Sequence, residues 1–118
     1  MIDVKAELTP FRMVLARREP IELMVELVNN SNKVQMVSLE ISSGEMLSFD
    51  KGGRTRVLTK KIESFKPGEI IRDYYNVYPT PSISKGMETI TILVAEHYNG
   101  SYQYIQGKKI KELSVRID

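Results

Sequence analysis

Five basic side chains, Lys51, Arg54, Arg56, Lys60 and Lys61, share one short stretch, SFDKGGRTRVLTKK (residues 48–61), with adjacent glycines at 52 and 53 and no acid after Asp50. Charges so spaced could hold an anion. A phosphate-binding P-loop needs a strand, the spacing G-x-x-x-x-G-K-[ST] and a helix whose first amides face the phosphate. Here the glycines are adjacent, and Thr55, Val57 and Thr59 alternate with Arg54, Arg56 and Leu58 as they would in a strand. The stretch is therefore expected to turn a hairpin at Gly52-Gly53 and run into a solvated edge strand, whose cations discourage pairing with other chains. A nucleic-acid contact through residues 51–61 ranks lower, because it would be salt-sensitive and no aromatic residues interleave with the charges. Arg54 and Arg56 are also candidates to meet an acidic protein surface.

Six tyrosines form the second group: Tyr74, Tyr75 and Tyr78 in one segment, Tyr98, Tyr102 and Tyr104 in another. Neighbours in a strand point to opposite faces, so Tyr74 and Tyr75 cannot both enter a core, while Tyr102 and Tyr104 are expected to share a face. If Tyr74 and Tyr78 meet Tyr102 and Tyr104 across neighbouring strands, they make the rigid amphipathic patch that protein interfaces favour. The alternative is packing at the rim of the core with each hydroxyl in water. His97 is the only histidine; a lone histidine with scattered carboxylates makes a poor metal site and a poor triad, and no motif marks a nucleophile. No enzyme activity, cofactor or metal is expected. The sequons at Asn29 and Asn99 are read as turn residues.

The elements that must carry these groups are strands. Ile21, Leu23, Val25 and Leu27 alternate with polar residues or Met24, and the same period of two runs through Ile2, Val4, Ala6 and Leu8, through Val37, Leu39 and Ile41, through Ile90, Ile92 and Val94, and through Leu113, Val115 and Ile117. No segment shows helical spacing. Turn signals separate these runs at Asn29–Asn32, Ser43-Gly44, Gly52-Gly53, Pro67-Gly68, Ser84–Gly86 and Asn99-Gly100, the last a two-residue hairpin signal. Seven to nine short strands, each with one apolar face, predict an all-β fold: a single antiparallel β-sandwich over residues 1–118.

Composition agrees with that size and class. A chain of 118 residues buries roughly 65% of its unfolded surface, enough for a core without staples. Seventeen basic against fifteen acidic side chains leave a net charge of +2, too little to attract a polyanion to the whole molecule. There is no cysteine, which removes disulfide frameworks and thiolate chemistry. Asp3, Lys5 and Glu7 interrupt any apolar leader at the start, and no run of about 18 apolar residues offers a membrane span. The expectation is a cytoplasmic chain, or a domain cut from a longer parent, with no membrane contact.

The segments REPIELMVELVNNSNKVQMVSLEI, FKPGEIIRDYYNVYP and GMETITILV resemble immunoglobulin-like and fibronectin-III-like sandwich domains of the bacterial and archaeal adhesion-related type. Glu19-Pro20, Asn29 or Asn30, and Pro67-Gly68-Glu69 match turn and strand-end motifs of such domains. Arg18 stands where the family carries glycine, and Glu88 where it carries tyrosine after Gly86. The resemblance implies fold, and the fold hosts adhesion modules, scaffolds and protease inhibitors alike. The leading expectation is a non-catalytic protein-interaction or scaffold module that docks a protein partner or a second copy of itself. The alternatives are an inhibitor inserting SFDKGGRTR and YPTPSISKG into a protease cleft, and the weak nucleic-acid contact.

Overall fold

The computed structural model describes residues 2–98 and 100–118. Among them are nine strands: β1 (Ile2–Thr9), β2 (Arg12–Met13), β3 (Ile21–Asn29), β4 (Gln35–Ser43), β5 (Leu47–Ser48), β6 (Val57–Phe65), β7 (Ile70–Pro79), β8 (Gly86–Tyr98) and β9 (Ser101–Ile117). They form a four-stranded sheet in the order β1-β3-β7-β5 and a five-stranded sheet in the order β2-β9-β8-β4-β6. Every pairing is antiparallel except the parallel contact of β2 with Arg116 and Ile117 of β9. The expected all-β sandwich is the observed fold.

The period-two residues form its core. Ile21, Leu23, Val25 and Leu27 of β3, Val37, Leu39 and Ile41 of β4, and Ile90, Ile92 and Val94 of β8 are buried between the sheets, with Ile2 and Ala6 of β1 and Val115 and Ile117 of β9 closing one side. The long β8–β9 hairpin stretches the molecule to 47 × 24 × 19 Å. Of the expected Asn99-Gly100 turn, Asn99 lies outside the described residues; Gly100 has a φ of 64°.

A buried amide ties one end of the sandwich together. Asn29, at the end of β3, is 0% exposed. Its Nδ2 donates to the carbonyls of Lys33 (2.9 Å) and Phe65 (2.8 Å), and its Oδ1 accepts from the Ser31 amide (2.9 Å) and the Ser31 hydroxyl (2.6 Å). The Asn29 amide also donates to the Glu69 carbonyl, and the Gly68 amide to that of Asn29. One side chain thus holds the β3–β4 turn to the end of β6, and its backbone holds the Pro67-Gly68-Glu69 turn. The sequon reading of Asn29 has no room here, since both its N–H bonds are committed.

Arg18 has a φ of 50°. The chain adopts the left-handed region at the position where the resembling domains carry glycine, and a β-carbon there is strained by roughly 1–2 kcal/mol. Glycine gives part of that back through its freer unfolded state. Arg18→Gly should therefore stabilise the domain by about 1 kcal/mol, raising its melting temperature by about 4 °C; a calorimetric melt checks this. Glu88, in the place of the tyrosine, accepts from the Met46 amide at 3.2 Å and packs its carboxylate where a β-carbon on Gly44 would otherwise sit.

Candidate functional site

The basic stretch is not a hairpin, because β5 and β6 belong to different sheets. Gly52-Gly53 turn a loop that crosses the open end of the sandwich. Asp50 closes it, its Oδ1 accepting from the amides of Arg54 (2.9 Å) and Thr55 (2.7 Å). Those amides, Thr55 first, hold the Asp50 carboxyl below the usual carboxylate range. A β-carbon on Gly53 would stand 3.5 Å from the Pro81 ring and 3.9 Å from the Thr80 side chain, so this loop approaches the β7–β8 loop closely. β6 is an edge strand, as expected.

The five cations do not form one patch. Lys60 and Lys61 are adjacent in a strand and face opposite ways. Lys60 turns inward and pairs with Asp73 of β7, Nζ to Oδ2 2.7 Å. Lys61 turns outward and sits 4.8 Å from the centre of the Tyr102 ring. Lys51, Arg54 and Arg56 remain exposed on the loop. The anion site suggested by the run of charges is dispersed by the alternation of β6.

The tyrosines divide as well. Tyr74, 57% exposed, and Tyr78 lie on β7 of the four-stranded sheet, while Tyr98, Tyr102 and Tyr104 lie at the tip of the β8–β9 hairpin in the other sheet. No cross-strand patch joins the two groups. Two register shifts near His97 also separate Tyr102 from Tyr104. The Tyr102 ring meets His97 edge-on at 5.0 Å and the Tyr104 ring meets Tyr98 at 5.4 Å, so the two go with adjacent residues of β8 rather than sharing a face.

Sequence reasoning left His97 without a partner; folding supplies three. His97 is 6% exposed. Its Nδ1 lies 3.2 Å from the Tyr104 carbonyl and its Nε2 2.7 Å from the Ser38 hydroxyl. A carbonyl only accepts, which places a proton on Nδ1; in the neutral ring Nε2 then accepts from the Ser38 hydroxyl. With Tyr102 as its cover, this group fastens the hairpin tip to β4. Ser38 is 59 residues away in sequence, so no spacing signal announces it. Burial, and then Glu63, push the Tyr102 phenol up.

Tyr75 faces inward, its hydroxyl donating to Asp73 at 3.3 Å. Burial first, then the Asp73 carboxylate, push its phenol from an ordinary 10.0 up to about 12. The unfolded chain loses this proton first, so the folded state binds more protons between those values. This group's contribution to stability is complete below about pH 10 and is lost as pH rises toward 12. Tyr75→Phe should flatten that part of the stability profile, and phenolate absorbance should show one tyrosine titrating late.

Together these contacts fill the seam between β6 and β7, where Leu58, Ile62, Ile71 and Tyr75 pack on the core. The seam on the other side is open. From Lys108 to Ile117 every residue of β9 pairs with β8, but on its other side only Arg116 and Ile117 have a partner, β2. Among the described residues, no strand is hydrogen-bonded to that edge of β9 from Lys108 to Val115; β1, of the other sheet, runs alongside it, with Asp3 paired to Lys109. Around this edge Tyr98, Tyr104, Ile105 and Ile110 are exposed, Ile110 by 65%.

No protein-family model and no curated protein matches this chain. Solved structures do resemble it. A FixG-related protein from Vibrio parahaemolyticus superposes with a TM-score of 0.60 and 14% identity, over 99% of this chain and 96% of that one. Native alpha-2-macroglobulin from Escherichia coli, from domain MG7 to the C-terminus, gives 0.67 and 15% identity over 98% of this chain but 16% of that one. An alkylpurine DNA glycosylase from Pseudomonas fluorescens, bound to DNA with an abasic-site analogue, gives 0.50 and 18% over 98% and 30%. This chain thus spans nearly all of the first and a minor part of the other two. At these identities the likeness is one of fold: a β-sandwich.

Proposed function

We propose that this chain is a non-catalytic protein-interaction module of the immunoglobulin-like kind that docks a protein partner through the β8–β9 hairpin and the open edge of β9. One observation supports the reading above the others. Five large apolar side chains, Met87 near its base and Tyr98, Tyr104, Ile105 and Ile110 toward its tip, stand exposed on a single hairpin whose outer strand has a free ladder edge. A free edge offers unpaired backbone donors and acceptors to an added strand, and aromatic side chains beside it supply contact area at small entropic cost.

The test is capture from an extract of the source cells, with three baits: wild type, Tyr104→Ser/Ile110→Ser, and Tyr74→Ser on the opposite sheet. A partner retained by wild type and Tyr74→Ser but lost by the double variant supports the reading. Identical recoveries from all three baits, with the chain monomeric in solution, would overturn it.

A second reading, an inhibitor whose loops enter a protease cleft, has the close approach of Gly53 to Thr80 and Pro81 in its favour. Two loops braced against each other keep their shape on binding, which lowers the cost of insertion. Absence of inhibition across a protease panel at micromolar concentration removes it.

A further inference from the structure

Strand addition needs an edge and, for selectivity, pockets that receive alternate side chains of the incoming strand. The seam between β1 and β9 has both. One cavity of about 150 Å³ is lined by Ile2, Val94, Glu96, Gly107, Lys108 and Lys109. A second, more open one of about 310 Å³ follows along the same seam, lined by Asp3, Val4, Lys109, Ile110 and Lys111. Ile2 and Val94 are core residues, 1% and 2% exposed, so the first cavity reaches the edge of the core itself. Gly107 opens it: a β-carbon at that position would stand 3.0 Å from the Glu96 carboxylate and project into the space.

The charges on the strand edge itself are mainly positive, with Glu96 beside the first cavity and Asp3 across the seam. Lys108, Lys109 and Lys111 fall within four residues of β9, followed by Glu112. Lys109 is engaged across the seam with Asp3, Nζ to Oδ1 3.3 Å. Lys108 and Lys111 flank it, one beside each cavity.

We propose that the β1–β9 seam is a binding groove for an extended, acidic protein segment, which adds to β9 as a strand, places an aliphatic side chain in the cavity of Ile2, Val94 and Gly107, and sets its carboxylates against Lys108 and Lys111. This rests on the reading of the chain as a protein-interaction module and specifies what its partner presents. The 150 Å³ cavity is of a size to take one such side chain. The charges select an acidic segment over a basic one, and attraction from the lysines speeds its approach. The competing role of the lysines, keeping a free edge from aggregating, makes no demand on the cavity.

The probe is a fluorescein-labelled ten-residue peptide of Val and Leu with glutamates three apart, one for each face of the strand, compared by anisotropy with the same peptide carrying Lys for Glu and with a version interrupted by proline. The acidic peptide should bind, and more weakly as salt rises; the lysine and proline versions should not. Lys108→Glu/Lys111→Glu, both surface changes, should weaken binding about tenfold or more. Gly107→Val should abolish it by filling the cavity, and Gly107→Ala, which adds one methyl group, should weaken it less. Melting temperature and near-ultraviolet circular dichroism identify any variant that fails to fold. Equal binding of the acidic and basic peptides would overturn the selectivity, and unchanged binding by folded Gly107→Val the anchor cavity, while both would leave a docking edge. No binding by any peptide would overturn the groove. Capture with the Tyr104→Ser/Ile110→Ser bait separately decides whether the hairpin docks proteins at all.

Discussion

Phe65→Ala should destabilise the domain by about 4 kcal/mol, the largest effect of any single truncation considered for this fold. Phe65 ends β6, is 0% exposed, and heads the fully buried side chains by volume. Its removal loses the transfer energy of the ring and leaves a cavity at the point where β4, β6 and the β6–β7 turn converge. In a domain of this size, stable by about 5–15 kcal/mol, such a loss takes much of the margin. Phe65→Leu, which keeps most of the volume, should cost about 1.5 kcal/mol or less. Phe11, 72% exposed, provides the contrast: Phe11→Ala should change stability by no more than about 0.5 kcal/mol. Denaturant unfolding of the three variants reads all of these, with an unchanged m-value as the sign that only stability has moved.

Asn29→Ala should cost about 3 kcal/mol. The alanine leaves the Lys33 and Phe65 carbonyls and the Ser31 amide without the partners they have now. An unpaired buried group costs about 1–3 kcal/mol, and enough water can enter at the turn to relieve part of the sum. Asn29→Asp should be worse, since a carboxylate set against two carbonyl oxygens repels both where the amide donates to both. If Asn29→Asp proves as stable as wild type near neutral pH, the hydrogen-bond assignment at this end of the sandwich is wrong.

The strands with one apolar face were legible in the sequence because period two survives wherever a single face is buried: the inward residues of β1, β3, β4, β8 and β9 were all readable. β2 and β5 were not, being two residues each and too short to show a period. Nor could periodicity say which strands share a sheet. That is why the basic stretch was expected to turn a hairpin, when β5 pairs with β7 and β6 with β4. It is also why Tyr74 and Tyr78 were expected to meet Tyr102 and Tyr104.

One part of the site was readable and still missed. The rule that separates Tyr74 from Tyr75 also separates Lys60 from Lys61, so the charge run never promised a single patch. Ser38 and His97 carried no such signal, because a contact between strands distant in sequence leaves no local trace. The free edge of β9 is likewise a property of topology: Lys108, Lys109 and Lys111 look like an ordinary solvated strand until the neighbours of that strand are known. Arg18 is the opposite case. Its difference from the glycine of the domains it resembles was visible, and its φ of 50° lies in the region glycine favours.

The most direct test of the account is amide hydrogen exchange along β9, measured on the protein alone and with the captured partner bound. A docking edge predicts that alternate amides between residues 104 and 115 exchange readily in the free protein and become protected in the complex, while those of β3 and β4 change little. If protection instead appears on the Tyr74 face or on the loop 50–56, with β9 unchanged, the partner binds elsewhere and the β9 edge is only a guarded one.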